Sequence, residues 1–225
     1  MSYNTITEFD HIFRVLFIGD DSVGKTSLIQ RHVEQVFSDI YMPTVGIDFK
    51  ITTLSLPDPS AKGTLKVDKQ IIKLQVYDTG GSEHFRSIVT VYYRNVDAIV
   101  VVYDISDIDS FHHVEKWLRD ALYYRGNDTI PKFLIGNKMD LPNYRRAVSS
   151  EAGATLAQQH HMTFFETSAK NKSQSIYLLP QIPVERLFLE ICKECLLSKH
   201  QGPQRSSFDT TDKRKTSNKR RCSCC

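Results

Sequence analysis

Ile12-Phe-Arg-Val-Leu-Phe-Ile18 runs directly into Gly19-Asp-Asp-Ser-Val-Gly24-Lys25-Thr26, and a helical pattern over 26–34 follows. An apolar run, a G-x-x-x-x-G-K-[ST] loop and a helix, in that order, predict a phosphate cradle. The glycines let successive backbone N–H groups turn inward around phosphate oxygens. A helix starting near Lys25 points its positive end at the same anion. On this reading Asp21, Ser22, Val23 and Gly24 form the cup, and Ser27 is counted with them. Lys25 neutralises the β- and γ-phosphates, and the Thr26 hydroxyl binds Mg²⁺. The alternative is a plain glycine turn before a helix. The flanking strand and helix favour the phosphate reading.

Working outward, apolar and β-branched runs recur at 12–18, 47–56, 70–77, 98–103, 132–135 and 163–166 as candidate strands. Helical patterns over 26–34, 111–122 and 151–160 fall between them, and a last one repeats at Val184, Leu187, Phe188 and Ile191 behind Pro183. Alternating strands and helices predict an α/β fold, a six-stranded, mostly parallel sheet with helices on both faces. No helix separates the second and third strands. They are expected to pair as an antiparallel edge hairpin with a long polar tip over 57–68. A second polar stretch covers 171–183.

The chain has 225 residues, of which 40% are hydrophobic and 24% charged. That suits one packed domain with an appendage and excludes global disorder. The longest apolar run, 98–103, is too short to cross a bilayer. The first ten residues contain Glu8 and Asp10 and lack a basic start before an apolar run, so no secretory signal is expected. The expected division is an extension over 1–8, a domain over 9–197 and a basic tail over 198–225. That tail holds eight Lys/Arg and two Asp, which leaves 21 basic against 24 acidic residues in the rest. An acidic body with a basic end argues against nucleic acid as a partner of the fold and for an anionic surface met by the tail.

Three further motifs fall at strand ends, where open α/β sheets place their ligands. Tyr77-Asp78-Thr79-Gly80-Gly81 supplies a carboxylate for a metal, usually through water, and a glycine N–H, at Gly81, for a γ-phosphate. Ile135-Gly-Asn137-Lys138-Met-Asp140 supplies a base reader. The Asp140 carboxylate accepts from both N1–H and the 2-amino group of guanine, which adenine lacks. Asn137 braces the loop, and the Lys138 stem covers the ring. Glu166-Thr-Ser168-Ala169-Lys170 offers backbone donors for the guanine O6.

These elements, in this order, resemble the Ras superfamily of small GTPases over roughly residues 9–197. Val45-Gly-Ile-Asp-Phe49-Lys50, Glu83-His-Phe-Arg-Ser-Ile88, Tyr92-Tyr-Arg-Asn95 and Val102-Tyr-Asp-Ile-Ser106 resemble its Rab branch. The resemblance implies GTP/GDP and Mg²⁺ as ligands. It implies that Thr44 is the switch threonine that closes on Mg²⁺ and γ-phosphate, and that Phe37 packs on the guanine. Both switch loops, the second over about 79–95, order around GTP and relax after hydrolysis. Effectors, an exchange factor, an activating protein, a dissociation inhibitor and prenylation machinery are the implied partners of a monomer. The implied setting is vesicle trafficking, on the cytoplasmic face of an intracellular or plasma membrane with a cytosolic pool.

One departure bears on catalysis. The family pattern Asp-Thr-Ala-Gly-Gln-Glu reads Asp78-Thr-Gly-Gly-Ser82-Glu83 here. Ser82 is too short to hold a water and a γ-phosphate oxygen together, and Gly80 loosens the loop. Among the catalytic candidates Ser82, Gly81, Lys25 and Thr44, this predicts slow intrinsic hydrolysis. The alternatives are an activator that supplies the missing group in trans, or a GTP-bound, effector-recruiting module that barely turns over. A P-loop ATPase or kinase is a third reading, opposed by Asn137–Asp140.

The tail reads Lys219-Arg-Arg-Cys222-Ser-Cys224-Cys225. Cys224 and Cys225 resemble a double prenylation signal, with C-a-a-X at Cys222 as the runner-up. Cys192-x-x-Cys195 and Cys222-x-x-Cys225 also form a possible zinc set, but their separation is long, and the first pair is expected on the last helix's buried face. His112-His113 and His160-His161 are expected to be solvated or half-buried.

Overall fold

The computed structural model describes residues 9–57, 69–82, 86–126, 129–171 and 181–201. The strands are β1 (His11–Ile18), β2 (Ile47–Pro57), β3 (Lys69–Thr79), β4 (Ala98–Asp104), β5 (Lys132–Asn137) and β6 (Thr163–Glu166). The helices are α1 (Lys25–Val33), α2 (Arg86–Tyr93), α3 (Ile108–His112), α4 (Val114–Arg125), α5 (Ser150–Gln159) and α6 (Val184–Gln201). The sheet order is β2-β3-β1-β4-β5-β6. Every pairing is parallel except β2–β3, which is antiparallel from Ile47 opposite Thr79 to Pro57 opposite Lys69. The edge hairpin is as expected; its polar tip, and all but the ends of the 171–183 stretch, lie outside the described residues.

Side-chain alternation along β1 builds two cores. Phe13, Val15 and Phe17 face one side, with Leu28 and Ile29 of α1 and Leu187, Phe188 and Ile191 of α6. Leu16 and Ile18 face the other, with Val89 of α2, Trp117 and Leu118 of α4 and Ala157 of α5. β4 and β5 are buried along their whole length, as central strands covered on both faces must be. Each large side chain buried here contributes roughly 1.5–3 kcal/mol. Cys192 and Cys195 belong to the α6 side of this core, at 0% and 2% exposure.

Three local features depart from the sequence reading. The pattern over 111–122 is two helices, because Asp107 caps a separate short turn by accepting from the N–H groups of Asp109 and Ser110. The chain re-enters a helix at Val114 and stops at Gly126, whose left-handed φ of 82° ends α4. α2 was expected only as part of a switch loop. Its Val89 and Tyr93 are fully buried, and that packing stabilises it as a helix. α6 also runs on past Leu197 to Gln201.

Candidate functional site

Four loops leave the carboxyl ends of β1, β3, β5 and β6 and meet around one cavity of about 680 Å³. Its wall includes Asp21, Ser22, Gly24, Lys25, Thr26, Ser27, Phe37, Thr44, Gly81, Asn137, Lys138, Asp140, Ala169 and Lys170. Val23, Asp78 and Ser168 are buried behind that wall, at 1%, 1% and 3% exposure. Ser82 is partly exposed and is not on the wall. Cys224 and Cys225 lie outside the described residues.

The glycine loop is tight by construction. Gly24 has a φ of 93°, and a Cβ there would meet the Asn137 amide. A Cβ on Gly81 would run into the backbone of Asp20 and Asp21, so only glycine permits this approach of the β3 loop to the cradle. Ser22 and Lys138 also take left-handed φ values, 63° and 66°, a strain of the kind found at binding sites. Lys25 is only 5% exposed and donates to the carbonyls of Gly19 at 2.8 Å and Asp20 at 2.6 Å. Burial lowers its pKa to about 8, against the pull of Asp78, Asp21 and Asp20. The ammonium is therefore charged at neutral pH and held inside its own loop.

Thr26, Thr44 and Asp78 converge from three separate segments. The Thr26 hydroxyl lies 2.8 Å from that of Thr44 and donates to Asp78 Oδ2 at 2.5 Å. Thr44 donates to the same oxygen at 3.4 Å. Asp78 Oδ1 is buried with no hydrogen-bond partner among the described residues. Burial, above all, raises the Asp78 pKa. Three hard oxygens and one orphaned carboxylate oxygen fit Mg²⁺, which takes oxygen ligands.

The opposite end of the cavity is cross-tied. Asn137 Nδ2 donates to the Val23 carbonyl at 2.8 Å, and Asn137 Oδ1 accepts a long 3.4 Å contact from the Ala169 N–H. Thus one side chain spans the phosphate loop and the loop after β6. Ser168 Oγ donates to Asp140 Oδ1 at 2.5 Å and accepts from the N–H groups of Lys170 and Asn171. Met139 N–H donates to the Thr167 carbonyl, and Thr167 N–H to that of Gly136. Lys138 is ion-paired with Asp104 at 2.7 Å. Beneath β6, Arg146 forks onto the fully buried Glu166 at 2.6 and 3.1 Å. The Lys170 ammonium lies 5.7 Å from the Phe37 ring centre and pairs with Asp39 at 2.8 Å.

Asp20, Arg31, Asp39 and Thr79 were not singled out from sequence. Thr79 and Asp39 line the cavity. Asp20 accepts from Trp117 and pairs with His113, and Arg31 binds carbonyls of the loop after β6. Arg31 had one legible signal: it lies three residues after Leu28, on the buried side of α1. His113 and His112 are exposed and His160 is half-buried, as expected.

A doubly covered sheet with a Gly-Lys-Thr cradle on its central strand defines a P-loop nucleotide-binding protein. The Ras family model matches residues 14–195. The chain is 38% identical to the Ras-related protein RABD1 of Arabidopsis thaliana, over 91% of this chain and 88% of that one. It is 35% identical to the Ras-related protein Rab-13 of Mesocricetus auratus, over 92% and 95%, and 42% identical to the GTP-binding protein YPTM1 of Zea mays, over 72% of each. The chain belongs to the Ras family of small GTPases and, within it, to the Rab branch. It is accordingly a GTP-binding, GTP-hydrolysing switch protein of vesicle trafficking, from a family that binds GTP and GDP with Mg²⁺.

Proposed function

We propose that this cavity holds guanine nucleotide, with the cradle from Asp21 to Ser27 on the phosphates and Asn137, Lys138, Asp140 and Ser168–Lys170 on the base. The observation that carries this reading is Asp140. Its carboxylate lines the cavity, with one oxygen fixed by Ser168. A fixed acceptor at that point favours a base with two adjacent donors and leaves adenine facing an unpaired charge. Phe37 packs against the ring from the side. The test is competition of GDP against ADP on the full chain. Equal displacement by the two sinks the reading.

Thr26, Thr44 and Asp78 would hold Mg²⁺, which when bound neutralises charge on the β- and γ-phosphate oxygens. Lys25 exchanges its carbonyl partners for phosphate oxygens, and Gly81 gives its N–H to the γ-phosphate. Ser82 makes intrinsic hydrolysis slow. Its short side chain follows two glycines and is not on the cavity wall. An activator that supplies a group in trans restores the rate, since an external arginine contributes ~10³–10⁵. With no activator, the protein persists as a GTP-bound, effector-recruiting module.

We further propose that it works as a monomer at the cytoplasmic face of an intracellular or plasma membrane. Among the described residues no helix is long and apolar enough to cross a bilayer. Lipids on Cys224 and Cys225 would supply two anchoring chains, the number needed to hold stably, and the basic residues around 213–221 add about 1 kcal/mol each near anionic lipid. Mass spectrometry of the C-terminal peptide from cells is the test; unmodified cysteines refute it.

A further inference from the structure

We propose that Arg31 is a positioning residue that aims the loop after β6 at the six-position oxygen of guanine, and so governs how long the nucleotide stays bound. The proposal rests on the guanine reading above. Arg31 sits in the last turn of α1 and is only 7% exposed. Its Nε donates to the Ala169 carbonyl at 2.6 Å, and its Nη2 to the Lys170 carbonyl at 3.1 Å. Its Nη1 donates to the Gln35 carbonyl at 3.2 Å, at the start of the segment that carries Phe37. The guanidinium carbon lies 5.8 Å from the Phe37 ring centre. All its hydrogen bonds among the described residues go to carbonyls, none to a carboxylate.

A guanidinium taken out of water without a counter-carboxylate is costly unless its donors are spent on well-placed dipoles. Here the planar fork grips two consecutive peptide units. The carbonyls of Ala169 and Lys170 belong to the 169–170 and 170–171 peptides, so fixing them holds Ala169 in place beside its own N–H and also fixes the Lys170 and Asn171 N–H groups that donate to Ser168 Oγ. Among the described residues the Ala169 N–H makes only the long contact to Asn137, so it has capacity left for a ligand. Among the described residues Asp140 is held by Ser168, whose Oγ accepts from the Lys170 and Asn171 N–H groups of the same loop. Arg31 therefore controls the reading of the base, at its oxygen through Ala169 and at its N1–H and 2-amino edge through Ser168, separately from the grip on the phosphates.

That separation distinguishes positioning from a merely structural staple. Loosening the domain weakens every nucleotide by one common factor. Mis-aiming this loop weakens only ligands whose base it reads. The experiment measures Kd and dissociation rate on the full chain for GDP, IDP (which keeps the oxygen and N1–H and lacks the 2-amino group) and ADP (an oxygen-free analogue that lacks N1–H and the 2-amino group as well). For Arg31→Ala, GDP and IDP weaken at least tenfold, while the oxygen-free analogue changes less than twofold. Arg31→Lys gives an intermediate loss on GDP and IDP, because an ammonium on a shorter stem keeps the charge without the rigid planar fork. Arg31→Gln keeps the packing of the stem and one donating amide, serves should the alanine variant not fold, and gives an intermediate loss on the same two ligands. Equal losses on all three ligands, or none, overturn the proposal. A wild-type protein that already fails to prefer GDP over the oxygen-free analogue overturns the guanine reading itself, a failure visible before any substitution.

Discussion

Trp117 donates its indole N–H to the Asp20 carboxylate at 2.6 Å, across 97 residues of sequence. The other carboxylate oxygen lies 2.6 Å from His113 Nδ1. Asp20 is the second residue of the phosphate loop, and both partners flank the start of α4. The loop is thus braced from outside as well as by its own lysine. Trp117→Phe keeps an aromatic in a site that is 4% exposed but leaves a partly buried carboxylate oxygen unpaired. We expect a loss of about 2–3 kcal/mol, the magnitude for a hydrogen bond to a charged group, read as a lower urea midpoint at unchanged m-value. An unchanged midpoint would show the contact to be energetically idle.

His32 gives the fold an acid-sensitive seam. It is 9% exposed, stacks on Phe188 at 3.9 Å between ring centres, and has an unpartnered Nδ1 among the described residues. Burial lowers its pKa from 6.5 to about 4. Between those values the unfolded chain binds more protons than the folded one. Stability is therefore complete above about pH 6.5 and declines as pH falls toward 4, by up to about 3 kcal/mol. His32→Phe removes the orphaned nitrogen, which is expected to add about 1 kcal/mol at pH 7 and to flatten this acid limb. Urea titrations of both proteins at pH 7.5 and 4.5 test the claim; parallel acid losses would refute it.

Asp140→Asn exchanges half of a two-acceptor carboxylate for a donor. Guanine then meets a donor where it needs an acceptor, whereas xanthine, with a carbonyl at the 2-position, gains a partner. GDP is expected to weaken by roughly 100-fold or more, with xanthosine diphosphate becoming the preferred ligand. Retained GDP preference in competition binding would remove Asp140 from the base site.

Ser82→Gln restores a side chain long enough to reach from the β3 loop toward the γ-phosphate. Single-turnover GTP hydrolysis is expected to rise by roughly 10-fold or more, with GTP affinity unchanged. If the rate stays where it was, the short side chain does not limit the reaction.

What the sequence disclosed follows from the range of the forces involved. All six strands were legible, because 98–103 in β4 and 133–135 in β5 are apolar runs and β1 alternates large apolar residues between two cores. The Gly-Lys-Thr cradle and the Asn137–Asp140 segment were legible because each depends on residues adjacent in the chain. Arg31 and Asp20 were not, since the meaning of each lies in partners 138 and 97 positions away. α2 was missed because its stabilisation is tertiary: Val89 and Tyr93 are buried in one cluster with residues of α4 and β4. The break at His113 was missed because the apolar residues at 111, 114, 117, 118, 121 and 122 keep a helical spacing straight through it.

The two thiols of α6 sit in the hydrophobic interior, where burial pushes Cys192 up to about 12 and raises Cys195 well above the usual thiol value. Burial at 0% and 2% exposure shields both from an alkylating reagent while α6 stays packed, and the raised pKa values keep them as thiols. Their modification rate is then a stopwatch for the lifting of that helix, and adding nucleotide at the far pole of the sheet should slow it only to the degree that the two poles open together.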